Sequence, residues 1–522
     1  MTNELTILSK QRRARSHSVI RLALAAAFVL GVMFYMNYQI EGVSNGLFLM
    51  VAAMVGAYMA INIGANDVAN NVGATVGSGA ITLAGALVLA GVFEAAGALL
   101  AGGDVVGTIK KGIIDPGLIS DANTFIWLMM AALMAAALWL NLATALGAPV
   151  STTHSIVGGV LGAGVAAGGM DIANWNTMGN IAASWVISPV MGGVIAALFL
   201  YIIKRQITYK KDKVSATQKL VPILIGIMAW AFGAYLMKKG LGKVWKISLP
   251  VALMSGVVIG GIVYAAVRPM IAKACTRLTN DKAGVNSIFT LPLIFAAALL
   301  SFAHGANDVA NAVGPLAAIN DSIMQGGIVK KATIPLWVMM IGALGIVVGL
   351  ALFGPRLIKT VGTEITELDK IRAFCIAMAA AITVLIASQL GLPVSSTHIA
   401  VGGVFGVGFL REFLKVSYAR AIQEIEAHHV GFERYEIDKY LNTFEQATLE
   451  EKGRMLKELK RSRPQNVAIT RKERNQLKKV FRSELVRRSL LFKIIAAWLI
   501  TVPVSAAIAA MLYFMLRGFL LP

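Results

Sequence analysis

Charge is scarce in this sequence. Of 522 residues only 14% are Asp, Glu, Lys or Arg, against 57% hydrophobic, and the mean hydropathy is +0.71. Soluble domains carry about a quarter charged residues, so a water-exposed globular protein is excluded and a polytopic membrane protein is implied. Cysteine is nearly absent: Cys275 and Cys375 cannot build a disulfide framework, and neither has metal-ligand spacing. Six histidines, with no His-Glu-x-x-His and no P-loop, leave little material for a metal-dependent hydrolase or phosphatase, and no enzyme and no cofactor are expected. Acid is the rarer sign, 27 residues against 48 basic, for a formal net charge of +21. Much of that excess falls in short links between apolar runs, which fits the positive-inside rule better than a nucleic-acid groove.

What the chain does have is long apolar runs, near residues 22–38, 46–62, 81–101, 124–147, 150–168, 178–203, 220–237, 247–267, 287–303, 333–353, 370–390, 394–411 and 488–519. The reading is an all-α, multi-pass membrane protein. The first run follows Arg12, Arg13, Arg15 and Arg21 and is followed by Asn37-Tyr-Gln-Ile-Glu41 instead of small residues. It reads as an uncleaved helix with a cytoplasmic N-terminus, not as a signal peptide.

Two motifs occur twice. Gly64–Gly73, GANDVANNVG, returns at Gly305–Gly314 as GANDVANAVG, and Pro149-Val-Ser-Thr-Thr-His154 returns as Pro393-Val-Ser-Ser-Thr-His398. Between them Val105–Ile113 is weakly echoed by Leu357–Ile365. Elements recurring in one order imply duplication of a whole unit. The expected organisation is a basic N-terminal segment with an extra helix (1–45), repeat 1 (46–203), basic loops with two linking helices (204–286), repeat 2 (287–411), a charged cytosolic helical insert (412–487) and a last membrane helix completing repeat 2 (488–522). With the N-terminus inside, the basic links at Lys204–Lys219 and Arg268–Lys282 and the stretch Arg411–Arg488 also fall inside. Repeat 1 then starts outside and repeat 2 inside, an inverted topology. Lys238, Lys239, Lys243 and Lys246 fall outside against this rule, an electrostatic lure for anions.

An ionised Asp at the centre of a membrane helix costs about 2.5–3.5 kcal/mol on insertion scales, and the first motif places one there twice. Helical spacing sets Asn66, Asp67 and Asn70 on one face, and Asn307, Asp308 and Asn311 likewise. The flanking glycines let the helix break and bring carbonyl oxygens to a cavity, so each copy offers the oxygen set that Na⁺ requires, or a carboxylate to carry H⁺. In the second motif, proline ends one helix and Ser/Thr caps open the next. Two half-helix N-termini meeting at the midplane, with hydroxyls of Ser151, Thr152, Thr153, Ser395, Ser396 and Thr397, form an anion site without a buried Lys or Arg. Gly158/Gly162 and Gly402/Gly406 allow close packing of each half-helix. Glu94, His154 and His398 are second-tier candidates, Glu94 without an evident counterpart. Asp104, Lys110 and Lys111 read as ordinary interface charges.

The Gly64–Asn70 and His304–Asn311 segments and the two Pro-Val-Ser-(Thr/Ser)-Thr-His segments resemble the PiT family of inorganic phosphate transporters. The resemblance covers about 46–203, 287–411 and the last helix. It implies an inverted-repeat secondary transporter of the cell membrane, with phosphate between the half-helix ends and coupling ions at the Asn/Asp motifs. Val72–Gly79, Phe93-Glu94 and Thr108–Asp115 look more like the sodium-coupled branch, with H⁺ the alternative. A carboxylate beside the anion accepts a hydrogen bond from protonated phosphate and repels sulfate, so phosphate is expected if one Asp touches it. A sulfate permease of the same fold and an anion channel are the competing readings. A homo-oligomer and a cytosolic partner at 412–487 stay open.

Overall fold

The computed structural model describes residues 2–119, 121–145, 150–240, 245, 247–327, 334–364, 369–426 and 488–520. Their regular structure is helical apart from one isolated antiparallel bridge, Ile114 to Ala173. In chain order the helices are α1 (Thr2–Gln39), α2 (Gly46–Asn66), α3 (Val68–Gly77), α4 (Leu83–Ala101), α5 (Gly103–Lys111), α6 (Ala122–Ala145), α7 (Thr152–Gly168) and α8 (Trp175–Ile203). They continue with α9 (Lys213–Lys239), α10 (Leu249–Cys275), α11 (Lys282–Ile288), α12 (Thr290–Met324), α13 (Leu336–Glu364), α14 (Lys370–Gln389), α15 (Ser396–Glu426) and α16 (Arg488–Leu520). Eleven spans among the described residues are long and apolar enough to cross a membrane. The expected all-α membrane architecture is therefore what the chain adopts.

Helix starts follow capping chemistry. Thr82, Asn174, Asp212 and Asp369 sit before α4, α8, α9 and α14, and each side chain accepts a backbone N–H from three residues on. The two Asn/Asp motifs, nearly identical in sequence, fold differently. Copy one interrupts the helix at Asp67: its N–H still bonds Ile63 O at 2.9 Å, while Asn70 N–H reaches back only three residues to Asp67 O at 3.0 Å. Copy two runs unbroken through α12, so the glycine break expected there does not occur. Every residue of α12 from Ala296 to Ser322 is buried, packed by α2, α4, α5 and α14, and that packing supports a continuous helix. Helix α15 runs to Glu426, past the expected boundary at 411; the remainder of the 412–487 insert lies outside the described residues.

Packing pairs the helices crosswise. Helix α2 packs on α13 and α12 on α4; α7 packs on α16 and α15 on α8. Backbones touch where glycine occurs. A Cβ on Gly64 would lie 1.9 Å from Ile346 O, and one on Gly305 would lie 2.1 Å from Glu94 O. Gly158 and Gly162 meet Val502 and Ala506 on α16 as Gly402 and Gly406 meet Pro189 and Gly193 on α8. These contacts give van der Waals attraction where lipid removes any hydrophobic drive between helices. Gly305→Ala should cost at least about 1–3 kcal/mol through overpacking. Gly31→Ala, with nothing within 4 Å of the new Cβ, should be neutral. Thermal unfolding of the detergent-solubilised protein, followed by size-exclusion profile, checks the contrast.

Candidate substrate and cation site

Both half-helices begin with the same capping bond. His154 N–H donates to Ser151 Oγ at 3.2 Å, and His398 N–H donates to Ser395 Oγ at 3.3 Å. Ser151 and Ser395 therefore sit as N-caps of α7 and α15, and the other four hydroxyl candidates open the first turns. Those turns meet the Asn/Asp motifs. Thr152 Oγ1 donates to Asp67 Oδ2 at 2.7 Å and Thr397 Oγ1 to Asp67 Oδ1 at 3.3 Å, so Asp67 joins both half-helices. Ser396 Oγ donates to Asp308 Oδ2 at 3.4 Å.

The amides complete the lattice. Asn70 Nδ2 donates to Thr397 Oγ1 at 2.8 Å, and Asn311 Nδ2 to Thr152 and Thr153 at 3.2 and 3.1 Å. Asn307 Nδ2 reaches Ser388 Oγ and Leu392 O, while its Oδ1 accepts Val394 N–H. Asn66 ends α2 and is half-buried. Asp67, Asp308 and His304 hold ligand atoms within 4.8 Å of one another, close enough to share a cation. Asp308 Oδ1 and Asn311 Oδ1 are buried oxygens with no hydrogen-bond partner among the described residues. Unsatisfied acceptors of this kind are costly in a low-dielectric interior, and a hard cation takes such oxygens as ligands.

Glu94 has partners that its own sequence context does not disclose. Its Oε1 accepts from Asn71 Nδ2 at 2.8 Å, and its Oε2 lies 2.7 Å from His304 Nδ1. The other ring nitrogen of His304, Nε2, lies 2.9 Å from Asp308 Oδ2. A buried carboxylate–imidazole–carboxylate chain thus backs the second motif. His304 and Asn71 were not among the candidates; the spacing of His304 four residues before Asp308 was the available signal. His154 and His398 face each other. Their rings lie 4.8 Å apart, with His154 3.9 Å from the ring of Trp185 and neither of its nitrogens hydrogen-bonded among the described residues.

Lys110 is not the interface charge its sequence context suggests. It is buried, as is Asp321 near the end of α12, and the two form an ion pair. Asp104, which is exposed, pairs with Lys239. Removing one partner of a buried pair costs about 3–5 kcal/mol, while replacing both by apolar residues is often neutral. Asp321→Ala should therefore destabilise the protein far more than Lys110→Met with Asp321→Leu, a comparison read by thermal unfolding in detergent.

Crossed membrane helices, two capped half-helix ends and buried carboxylates between them define a multi-pass α-helical membrane transporter. Residues 63–509 match the model of the phosphate transporter family. A Helicobacter pylori (strain J99) protein, provisionally named a phosphate permease, is 50% identical over 513 residues, 97% of this chain and 96% of that protein. A Pyrococcus abyssi protein with the same provisional name is 40% identical over 369 residues, covering 70% and 89%. A solved structure titled "The sodium-dependent phosphate transporter" superposes with a TM-score of 0.74 at 31% identity, covering 91% of this chain and all of that one. The chain belongs to the phosphate transporter family, a family of transporters and not of enzymes.

Proposed function

We propose that the protein is a secondary active symporter that imports inorganic phosphate across the cell membrane, coupled to Na⁺, by alternating access around the site at Asp67 and Asp308. The observation that carries this reading is the convergence of two half-helix N-termini on two buried carboxylates. Neither anion nor cation is well served alone. A phosphate dianion brought to the half-helix ends meets Asp67 and Asp308, and at a few ångströms in a low dielectric that repulsion is severe. A cation at the carboxylates removes it. The cation also competes for the oxygens that now accept from Thr152, Thr397 and Ser396, which turns those hydroxyls toward the anion. Backbone N–H groups at the starts of α7 and α15 supply the remaining donors. Coupling then follows from shared ligands, not from a distant signal.

The crosswise packing supports two inverted repeats as the moving parts. The α2–α13 and α4–α12 contacts correspond under exchange of the repeats, as do α7–α16 and α15–α8. Rocking of one half against the other would expose the site to each side in turn. The N-terminus is assigned to the cytoplasm from the distribution of Lys and Arg.

The test is radiolabelled phosphate uptake into proteoliposomes under an imposed Na⁺ gradient, with pH equal on both sides. Accumulation against the phosphate gradient is the expected result. Uptake only under an inward proton gradient would replace Na⁺ by H⁺, and no uptake under either would sink the phosphate reading in favour of labelled sulfate. Asp67→Asn and Asp308→Asn should each reduce coupled uptake at least about tenfold. Their membrane insertion should be intact. Full-rate, cation-dependent uptake by both would remove the aspartates from the mechanism.

A further inference from the structure

Between α14 and α15 the chain is unwound from Leu390 to Ser395, and four consecutive carbonyls there lack helical partners. Each is taken by a side chain from a different helix. Thr108 Oγ1 on α5 donates to Gly391 O at 2.6 Å, and Asn307 Nδ2 on α12 to Leu392 O at 3.1 Å. Trp185 Nε1 on α8 donates to Pro393 O at 3.1 Å, and Thr153 Oγ1 on α7 to Val394 O at 3.0 Å. These four bonds hold the segment that leads into the N-terminus of α15. Asn307 and Thr153 belong to the motifs already described; Thr108 and Trp185 do not.

We propose that Thr108 and Trp185 are positioning residues for the anion-binding end of α15: by holding the carbonyls of Gly391 and Pro393 they fix where the N–H groups and hydroxyls of Ser395–Thr397 point. Gly391 adopts φ +68°, which glycine reaches without strain, and lies against Thr108, so the side-chain bond restrains a turn whose own residue restrains it least. Trp185 also packs its ring on His154 of α7, so one side chain spans the two half-helices. The sequence carries both residues twice. The echo of Val105–Ile113 in Leu357–Ile365 sets Thr360 against Thr108. The register in which Gly158 meets Val502 and Gly402 meets Pro189 sets Trp498 against Trp185.

The inference rests on the phosphate reading above, and its test separates the two. Full-length Thr108→Val, Thr108→Ser and Trp185→Phe are reconstituted and assayed for phosphate uptake. Thr108→Val loses only the hydroxyl, and Trp185→Phe keeps an aromatic ring beside His154 but loses the donor. Losing one net hydrogen bond that orients the site should raise the KM for phosphate roughly three- to tenfold. Vmax and the Na⁺ concentration for half-activation, both measured at saturating phosphate, should stay within about twofold of wild type, and Thr108→Ser should restore the KM. An unchanged KM in each variant that assembles, or a loss of Na⁺ affinity that persists at saturating phosphate, overturns the proposal; so does failure of Thr108→Ser to restore the KM. The two substitutions lie on separate helices, so one that assembles decides the matter if the other does not. Hydrogen–deuterium exchange over residues 390–398 of the purified protein needs no transport. Faster exchange in either variant supports the assignment, and exchange identical to wild type overturns it. A wild-type protein that takes up no phosphate under any gradient sinks the phosphate reading, while the exchange measurement still decides whether these residues fix the break.

Discussion

Lipid offers no hydrogen bonds, so a helix broken at membrane depth must have its freed peptide groups bonded by protein. The break before α15 meets this requirement with side chains from α5, α7, α8 and α12, and each of those bonds draws another helix toward the same point. The site is a consequence of that convergence. Thr153 and Asn307, which satisfy the break, stand beside Thr152 and Asp308, which face the carboxylate cluster. The α12 copy of the Asn/Asp motif shows the opposite economy: its helix is continuous, its peptide groups bond within it, and only side chains need partners.

The second constraint is charge. Asp67, Glu94 and Asp308 are buried together, and among the described residues no Lys or Arg is bonded to any of them. A Lys or Arg here would pair with the carboxylates permanently. Hydroxyl and amide donors make weaker, exchangeable bonds. Asp67 is held by two hydroxyls, which in the proposed symport an arriving cation displaces and an anion then takes up. A buried Lys–Asp pair does occur elsewhere, at Lys110 and Asp321.

The membrane class, the duplicated motifs and the capped half-helices were legible because each is local: apolar runs, a repeated decapeptide, Pro followed by Ser/Thr. The family resemblance read from those motifs agrees with the family match over residues 63–509. The partners of Glu94 were not legible, because α4 meets α12 and α3 only through the tertiary fold. The same holds for Lys110, whose partner lies on another helix. Helix continuity was misread for a related reason. GANDVAN occurs in both copies, yet only the first is interrupted, since the glycines permit a break and the surrounding helices decide whether one forms.

Those near-identical copies also end up in unlike electrostatic surroundings. Gly64 touches the backbone at Ile346, whereas Gly305 touches it at Glu94, so Ile346 occupies in one contact the place of Glu94 in the other. His304 precedes Gly305 where Ile63 precedes Gly64. The Gly305 contact therefore carries a carboxylate and an imidazole and the Gly64 contact two isoleucines, although Glu94 also reaches Asn71 of the first copy. Asp308 has a ring nitrogen at 2.9 Å and a hydroxyl at 3.4 Å; Asp67 has hydroxyls alone. A duplicated backbone imposes matching positions, but the energy of a charge at each position is set by what lies within a few ångströms. The two aspartates, alike in sequence, therefore sit in unlike electrostatic surroundings.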